Sequence, residues 1–588
     1  MHSSVTGLIR PALLLALLTA GAGLYSGAVQ APTQAPARPA NAELATFPSE
    51  WTYQPGAKAP TADNGMVVSN CVLATEAGVE ILKAGGNAVD AAVAVGFALA
   101  VAYPEAGNIG GGGYAVVRLV NKQTTAIDFR EMAPASASRN MFVNANGKVT
   151  DQSLIGHRVS GVPGSVAGLL ALLDKHGTLP RAKVMAPAIR LARDGFPVDA
   201  IFRASIAQNA ELIKKFAGRS LFLPDGRPPA IGSPFVQADL ARTLQRIADQ
   251  GPDGFYRGPV ADAVVAEMQR GGGTIAAADL ASYAPAWRTP LVGSYRGHQL
   301  VAMPPSSSGG ITVLETLNIL EAWHDLPPWN SPRALHRLAS AFQRAFVDRN
   351  GTLGDPAFVQ MPLDRLMSKE YARSLQAQIV DGKAAPTSTL RPAAREGTDT
   401  THYCVVDRAG NAVAITTTDN SLYGSGVWVP GAGFFLNNEM DDFAVQPGTP
   451  NQFGLVQGEA NAVAAGKRML SAMAPTIVLD PAGKVLMVIG GRGGPRIITA
   501  VVQAIVNVID YRMPLADAVG APRIHEQAIP DLLEYEKGGV PADVVAALGA
   551  MGYKMQPGAT GSLTALKRTA TGWEGLFDPR KHGLAAGY

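Results

Sequence analysis

Residues 400–418 read TTHYCVVDRAGNAVAITTT. Two runs of β-formers, TTHYCVVD and AVAITTT, flank a turn at Arg408-Ala409-Gly410-Asn411, the pattern of a β-hairpin. Thr400 opens the first run. It follows residues 384–399 (AAPTSTLRPAAREGTD), a polar stretch with Pro386 and Pro392 that reads as an exposed segment between two folded halves. Thr is a good strand residue, and a lone Thr at a strand start is ordinarily structural. The boundary position adds a second reading. A Thr hydroxyl is a weak nucleophile until a base adjoins it, and the residue's own α-amine is such a base when the residue begins a chain. Cutting the Asp399–Thr400 bond would put Thr400 in that position.

Working outward, GAGFFLNN and PTIVLD-PAGK-VLMVIGG add strands, and RIITAVVQAIVNVIDYR reads as a long helix. Residues 165–380 are mostly helical in pattern. Ser331-Pro332 before RALHRLASAFQRAFVDRN supplies an N-cap and a first-turn proline. Around 273–303 the text turns strand-like. Residues 87–103, interrupted by Asp90 and closed by Pro104, read as a buried central helix. Four glycines follow, Gly110 to Gly113, without the Gly-Lys-Ser/Thr of a phosphate loop. YAVVRLV and TTAIDFR around Asn121-Lys122 form another hairpin pattern. Strands and helices mix throughout, so the class is α/β or α+β with layered packing.

Composition limits the function classes. Among 588 residues, 50 Lys and Arg against 47 Asp and Glu leave a net charge of +3, which excludes a strongly basic nucleic-acid binder. At 47% hydrophobic and 16% charged, the chain can bury a large core. With two cysteines, Cys71 and Cys404, a disulfide scaffold is excluded. A Cys71–Cys404 bridge is open on paper, but both lie in apolar segments that favour buried free thiols. The nine His are scattered without metal-ligand spacing, so neither a metal nor an organic cofactor is expected. Arg10, the apolar run Pro11–Leu24 and Ser26-Gly27-Ala28 follow the order of a secretory signal, residues 1–28, too short for a good membrane span. Residues 29–54 then read as a Pro/Ala-rich linker. The expectation is export, to the periplasm or outside the cell, with no stable membrane span after signal removal.

Ordered motifs carry a resemblance. Thr400-Thr401-His402-Tyr403, Thr416-Thr417-Thr418-Asp419-Asn420, Asn437-Asn438-Glu439-Met440-Asp441-Asp442-Phe443, Lys467-Arg468-Met469-Leu470-Ser471 and Gly490-Gly491-Arg492-Gly493-Gly494 follow one another in the second half. Gly107-Asn108-Ile109 with the four glycines, Asp128-Phe129-Arg130-Glu131-Met132-Ala133-Pro134 and Pro304-Pro305-Ser306-Ser307-Ser308-Gly309-Gly310 precede them. The set, from about residue 55 to the C-terminus, resembles the γ-glutamyltransferases (γ-glutamyl transpeptidases) of the N-terminal-nucleophile hydrolase superfamily. The resemblance implies a four-layer αββα sandwich, and a precursor cut between Asp399 and Thr400 into a large subunit (55–399) and a small one (400–588).

The resemblance also implies roles. Thr400 would be the nucleophile in self-cleavage and in turnover. Thr418 would hydrogen-bond and orient it, and the N–H groups of Gly493 and Gly494 would form the oxyanion hole. Arg130 would take the α-carboxylate of a γ-glutamyl donor, Ser471 would add a hydroxyl, and Asn420, Glu439 and Asp442 would surround its α-ammonium. The donor would be glutathione or a related γ-glutamyl compound, and the acceptor water, an amino acid or a peptide. Residues 447–461 resemble a lid loop, with Phe453 at its aromatic position. Two departures stand out. Ala472 replaces a second serine, leaving only its backbone N–H to donate, and Asp419 stands where an apolar residue is usual. The alternatives are a glutaryl or cephalosporin-type acylase of the same superfamily, and an uncut exported relative that binds amino acids without turnover.

Overall fold

The computed structural model describes residues 52–217, 221–387, 400–446 and 458–588. Two seven-stranded sheets form its centre. In the first, the order is Leu584–Gly587, Met66–Ser69, Thr400–Val406, Ala412–Thr418, Gly112–Arg118, Thr124–Phe129 and Ala286–Arg288. In the second it is Thr61–Ala62, Trp573–Phe577, Ser562–Arg568, Val485–Arg492, Thr476–Leu479, His298–Ala302 and Leu291–Tyr295. All neighbours in both sheets are antiparallel.

The strands of the first sheet are apolar on both faces, and their period of two sorts the side chains into two cores. Val67, Ala115, Val117, Tyr403, Val405, Val413 and Ile415 join a core with the Val72–Lys83, Ala88–Ala102 and Ser165–His176 helices. Their neighbours Met66, Val68, Tyr114, Val116, Cys404, Val406, Ala412 and Ala414 join the second sheet and the Gly309–Glu321, Pro332–Thr352 and Arg496–Ile509 helices. Helix, sheet, sheet, helix is therefore the layer order, as the resemblance implied.

Local expectations meet the structure element by element. The Ala88–Ala102 helix is buried along its whole length; Asn87 caps it, and Asp90 completes a capping box. Asp90 thereby interrupts the apolar run without breaking the core. Ser331 caps the Pro332–Thr352 helix by accepting from Ala334 N at 3.3 Å, with proline at the first helical position. Both cysteines are free thiols; Cys404 is buried but Cys71 is only half-buried.

The segment expected to be exposed, 384–399, is anchored at its start. Ala384 donates to Met551 O at 2.8 Å, and Thr387 is buried, accepting from Gln343 Nε2 at 2.9 Å. Its remainder, 388–399 with Asp399, lies outside the described residues, as do the signal segment 1–28, linker residues 29–51 and Phe453. At the end of the linker reading, Tyr53 packs against Trp329 with ring centroids 6.0 Å apart.

Candidate active site

Thr400 is the first residue of its strand, directly opposite Thr418, the last residue of the partner strand. Alternation puts Thr400, His402 and Cys404 on the face toward the second sheet. His402 is sealed there: its Nδ1 is 2.7 Å from Thr416 Oγ1, and burial pushes its pKa down to about 3. The imidazole stays neutral and bonded to Thr416, so the conspicuous His of Thr-Thr-His serves the sheet interface. Thr418 Oγ1 accepts from Asn420 N at 2.8 Å. Asn420 has φ of 72°, and this left-handed turn sends the chain away from the sheet just after Thr418.

The glycine run makes room for this corner. A Cβ at Gly111 would lie 2.2 Å from Thr418 O and 2.4 Å from Asp419 Oδ1. The four glycines, which carry no phosphate-loop signature, therefore let the Gly112–Arg118 strand close against the end of the Thr418 strand.

Thr400, Thr418, Asn420, Arg130, Glu439, Asp442, Ser471, Ala472 and Gly494 line one cavity of about 230 Å³, joined by Met473 and Ile497. Gly493 is not among the lining residues. It lies between the Val485–Arg492 strand and the Arg496–Ile509 helix, with φ of 126° against 59° for Gly494. A Cβ on Gly493 would meet Gly561 Cα at 2.8 Å. Consecutive positive φ values turn the chain sharply just ahead of a helix N-terminus, a place suited to stabilising developing negative charge.

Arg130 follows the Thr124–Phe129 strand and is fully buried. Its two terminal nitrogens bond Glu439 Oε1 and Asp442 Oδ2, and Glu131 Oε2 is 3.6 Å away. The expected partner is a substrate carboxylate; here the guanidinium pairs with two acids of the site itself. Burial alone would depress the guanidinium pKa; Glu439, Tyr114, Asp442 and Glu131 outweigh it and hold Arg130 charged. Burial also raises Glu439, Asp442 and Glu131, the last to about 7, since one guanidinium cannot offset three desolvated carboxyls. Glu131, with neither oxygen hydrogen-bonded, lies beneath this cluster. The Glu439–Asp442 turn, whose composition alone suggests a solvated loop, is a buried 3₁₀ turn, because Asn437 Oδ1 accepts from Glu439 N and Gly161 N.

Ser471 Oγ accepts from Met473 N at 3.2 Å. Its backbone is clamped by the serine run: Ser471 N donates to Ser306 O at 3.1 Å and Ser308 N to Ser471 O at 2.7 Å. Asp419, the departure beside Asn420, is buried but turns away into a separate cavity. Sequence reasoning missed the supports: Glu131, whose signal was its place beside Arg130, and Ser306 and Ser308, quoted as a motif without a role. It had no signal for Met473 or Ile497, ordinary apolar residues placed by the fold.

Known proteins resemble this chain over most of its length. The family model described as Gamma-glutamyltranspeptidase matches residues 74–588. A glutathione hydrolase proenzyme of Escherichia coli (strain K12) is 48% identical over 538 residues, 90% of this chain and 92% of that one. An Acylase ACY 1 proenzyme of Pseudomonas sp. (strain SE83) is 39% identical over 521 residues, 87% and 90% of the two chains. The crystal structure of cephalosporin acylase from Bacillus halodurans superposes with a TM-score of 0.81 at 29% identity, covering 92% of this chain and 99% of that one. With the family model spanning most of its length, the chain belongs to the γ-glutamyltranspeptidase family.

Proposed function

We propose that the chain is the precursor of a glutathione hydrolase and γ-glutamyltransferase that matures by cutting itself before Thr400. The observation that carries this is the single cavity in which Thr400, facing Thr418, meets Arg130, Glu439 and Asp442. The level of identity to the Escherichia coli glutathione hydrolase proenzyme supports it.

In maturation, Thr400 Oγ attacks the Asp399 carbonyl, the peptide C–N bond breaks, and an ester replaces it. Water hydrolyses the ester, leaving an Asp399 carboxylate and Thr400 with a free α-amine. In turnover, that amine takes the hydroxyl proton as Oγ attacks the γ-carbonyl of the donor. The Gly493-Gly494 turn holds the oxyanion, an interaction worth about 2.7–4 kcal/mol per donor in such sites. The leaving amine takes the proton, and water or an acceptor amine resolves the ester on Thr400.

Donor binding exchanges ion pairs. The α-carboxylate replaces the two acids on Arg130, and the α-ammonium takes up those acids, Glu439 and Asp442. Arg130, Glu439 and Asp442 then each keep a partner of opposite charge, as a buried charge requires. Asn420 and Ser471 add hydrogen bonds at the rim. No step calls for a metal or an organic cofactor.

The acylase alternative rests on Ala472 and on the likeness to the cephalosporin acylase. A glutaryl group has no ammonium, so it would leave Glu439 and Asp442 without their cation. Export rests on the signal-like order of residues 1–28; among the described residues, no helix is long and apolar enough to cross a membrane. The decisive experiment combines intact mass, N-terminal sequencing and turnover of γ-glutamyl and glutaryl anilides. Two chains, the smaller starting at Thr400, with γ-glutamyl preferred, is the expected result. A folded chain that stays whole in neutral buffer would overturn the proposal.

A further inference from the structure

A second, small cavity lies on the far side of the Thr418–Asn420 turn. Its lining includes Asp419, Asn108, Gln237, Trp428, Phe434 and Phe435. It shares no lining residue with the Thr400 cavity. Asp419 is 1% exposed, and its Oδ1 has no hydrogen-bond partner. A carboxyl left so costs more than an apolar residue of similar size would.

The other groups of the wall narrow what the carboxyl can meet. Asn108 is already spent: its Oδ1 accepts from Gly111 N and Ser165 Oγ, and its Nδ2 donates to Ala106 O and Thr418 O. Gln237 donates its Nε2 to Val101 O at 2.8 Å, which turns its Oε1 into the remaining side-chain acceptor. Trp428 and Phe435 meet edge to face with centroids 5.0 Å apart, and Phe434 adds a third ring. A carboxyl, an amide oxygen and aromatic rings are surroundings that suit a desolvated ammonium. Among the described residues, no three His, Cys, Asp or Glu side chains are grouped for a metal ion, which argues against a multivalent ligand.

We propose that this cavity is a binding site for a small ammonium-type monovalent cation, with Asp419 as its counter-charge. Glu131 is the charged group that bears on Asp419 from a neighbouring segment; burial first, then Glu131, holds the empty carboxyl well above the usual carboxylate range. Burial thus favours the proton on Asp419, and the cation would enter as that proton leaves. Occupancy is felt in the active site, because Thr418 O is held by Asn108 at 2.9 Å and Asp419 O by Asn438 N at 3.0 Å, while Thr418 and Asn420 face the donor.

The test compares wild type with Asp419→Asn and Gln237→Met, all purified in choline chloride. Ammonium chloride replaces choline chloride at constant ionic strength, and the melting temperature is followed. A saturable rise is expected in wild type, with apparent affinity roughly tenfold or more weaker in either variant. In weakly buffered solution the wild type releases protons over the same concentration range. The melting temperature and proton release do not depend on turnover, so they stand apart from the fate of the activity assigned above. An unchanged melting temperature, or an equal rise in wild type and both variants, overturns the proposal. So does a rise without proton release, because the cation would then bind without displacing the proton of Asp419. Gln237→Met keeps the test decisive should Asp419→Asn fail to fold.

Discussion

Thr400 and Thr418 are Cα partners at the open end of one antiparallel ladder, seven residues of strand on each side away from the turn. The ladder fixes their relation more firmly than any loop could. Replacing Thr400 by Ala removes the hydroxyl and the γ-methyl and leaves the backbone pairing of the sheet in place. The variant is expected to fold, to stay as one uncut chain by mass spectrometry, and to lose turnover by about 10⁴–10⁶.

Arg130 meets two carboxylates through separate nitrogens. Lysine keeps the charge and loses the fork. Arg130→Lys is expected to lower kcat/KM for a γ-glutamyl anilide by roughly 10–150-fold, the loss of about 1.5–3 kcal/mol in charged hydrogen bonding. Most of the change belongs in KM, because in the proposed binding mode the donor's carboxylate is held alike before and during reaction.

Ala472 lines the donor cavity without a hydroxyl. Ala472→Ser adds one beside Ser471. A decrease of roughly two- to tenfold in KM for the γ-glutamyl donor is expected, from a hydrogen bond worth about 0.5–1.5 kcal/mol. An unchanged KM would show that the backbone N–H already does that work.

Gly493, at φ of 126°, holds a conformation that side chains avoid, with Gly561 Cα against it. Gly493→Ala is expected to cost about 1–3 kcal/mol in backbone strain. The stronger effect is expected on kcat, with the donor's inhibition constant for a non-reactive analogue little changed.

Glu131 has a folded-state pKa of about 7 against an ordinary value of 4.5, first because of burial. Between those values the folded protein binds more protons than the unfolded chain. Its contribution to stability is complete below the unfolded value and is lost as pH rises through about 7. Melting temperatures from pH 5 to 9 should fall for wild type up to about pH 7 and level off above it, and Glu131→Gln should flatten that fall. Equal slopes would mean that another group of the Arg130 cluster titrates there.

The sequence makes much of this site readable, for physical reasons. The Thr400–Thr418 hairpin shows itself through β-formers on both sides of a Gly-Asn turn, and the 88–102 helix through an apolar run ending at Pro104. Order of motifs marked Arg130, Glu439 and Asp442, although the local text of NNEMDDF suggests solvent. What stayed hidden depends on direction and depth. Nothing in the sequence says that Asp419 lines a cavity other than that of Thr400, or that Arg130 pairs with Glu439 and Asp442. Nor does it say that Thr387 is tucked under Gln343 at the start of a stretch that reads as exposed. Alternation gives a face to residues within a strand, but not to residues in the turns that leave it.

The first sheet weaves the two prospective subunits together. Its Met66–Ser69 strand lies between Leu584–Gly587 and Thr400–Val406, both from beyond the cut, and Gly112–Arg118 borders Ala412–Thr418. A break before Thr400 would therefore free a chain end without freeing a body. The fragments would stay together at any dilution, share one melting transition, and come apart only by unravelling the sheet. Cleavage in such a molecule is irreversible in a practical sense: fragments made separately would have to interdigitate strand by strand, a task that the uncut chain performs while it is still one piece.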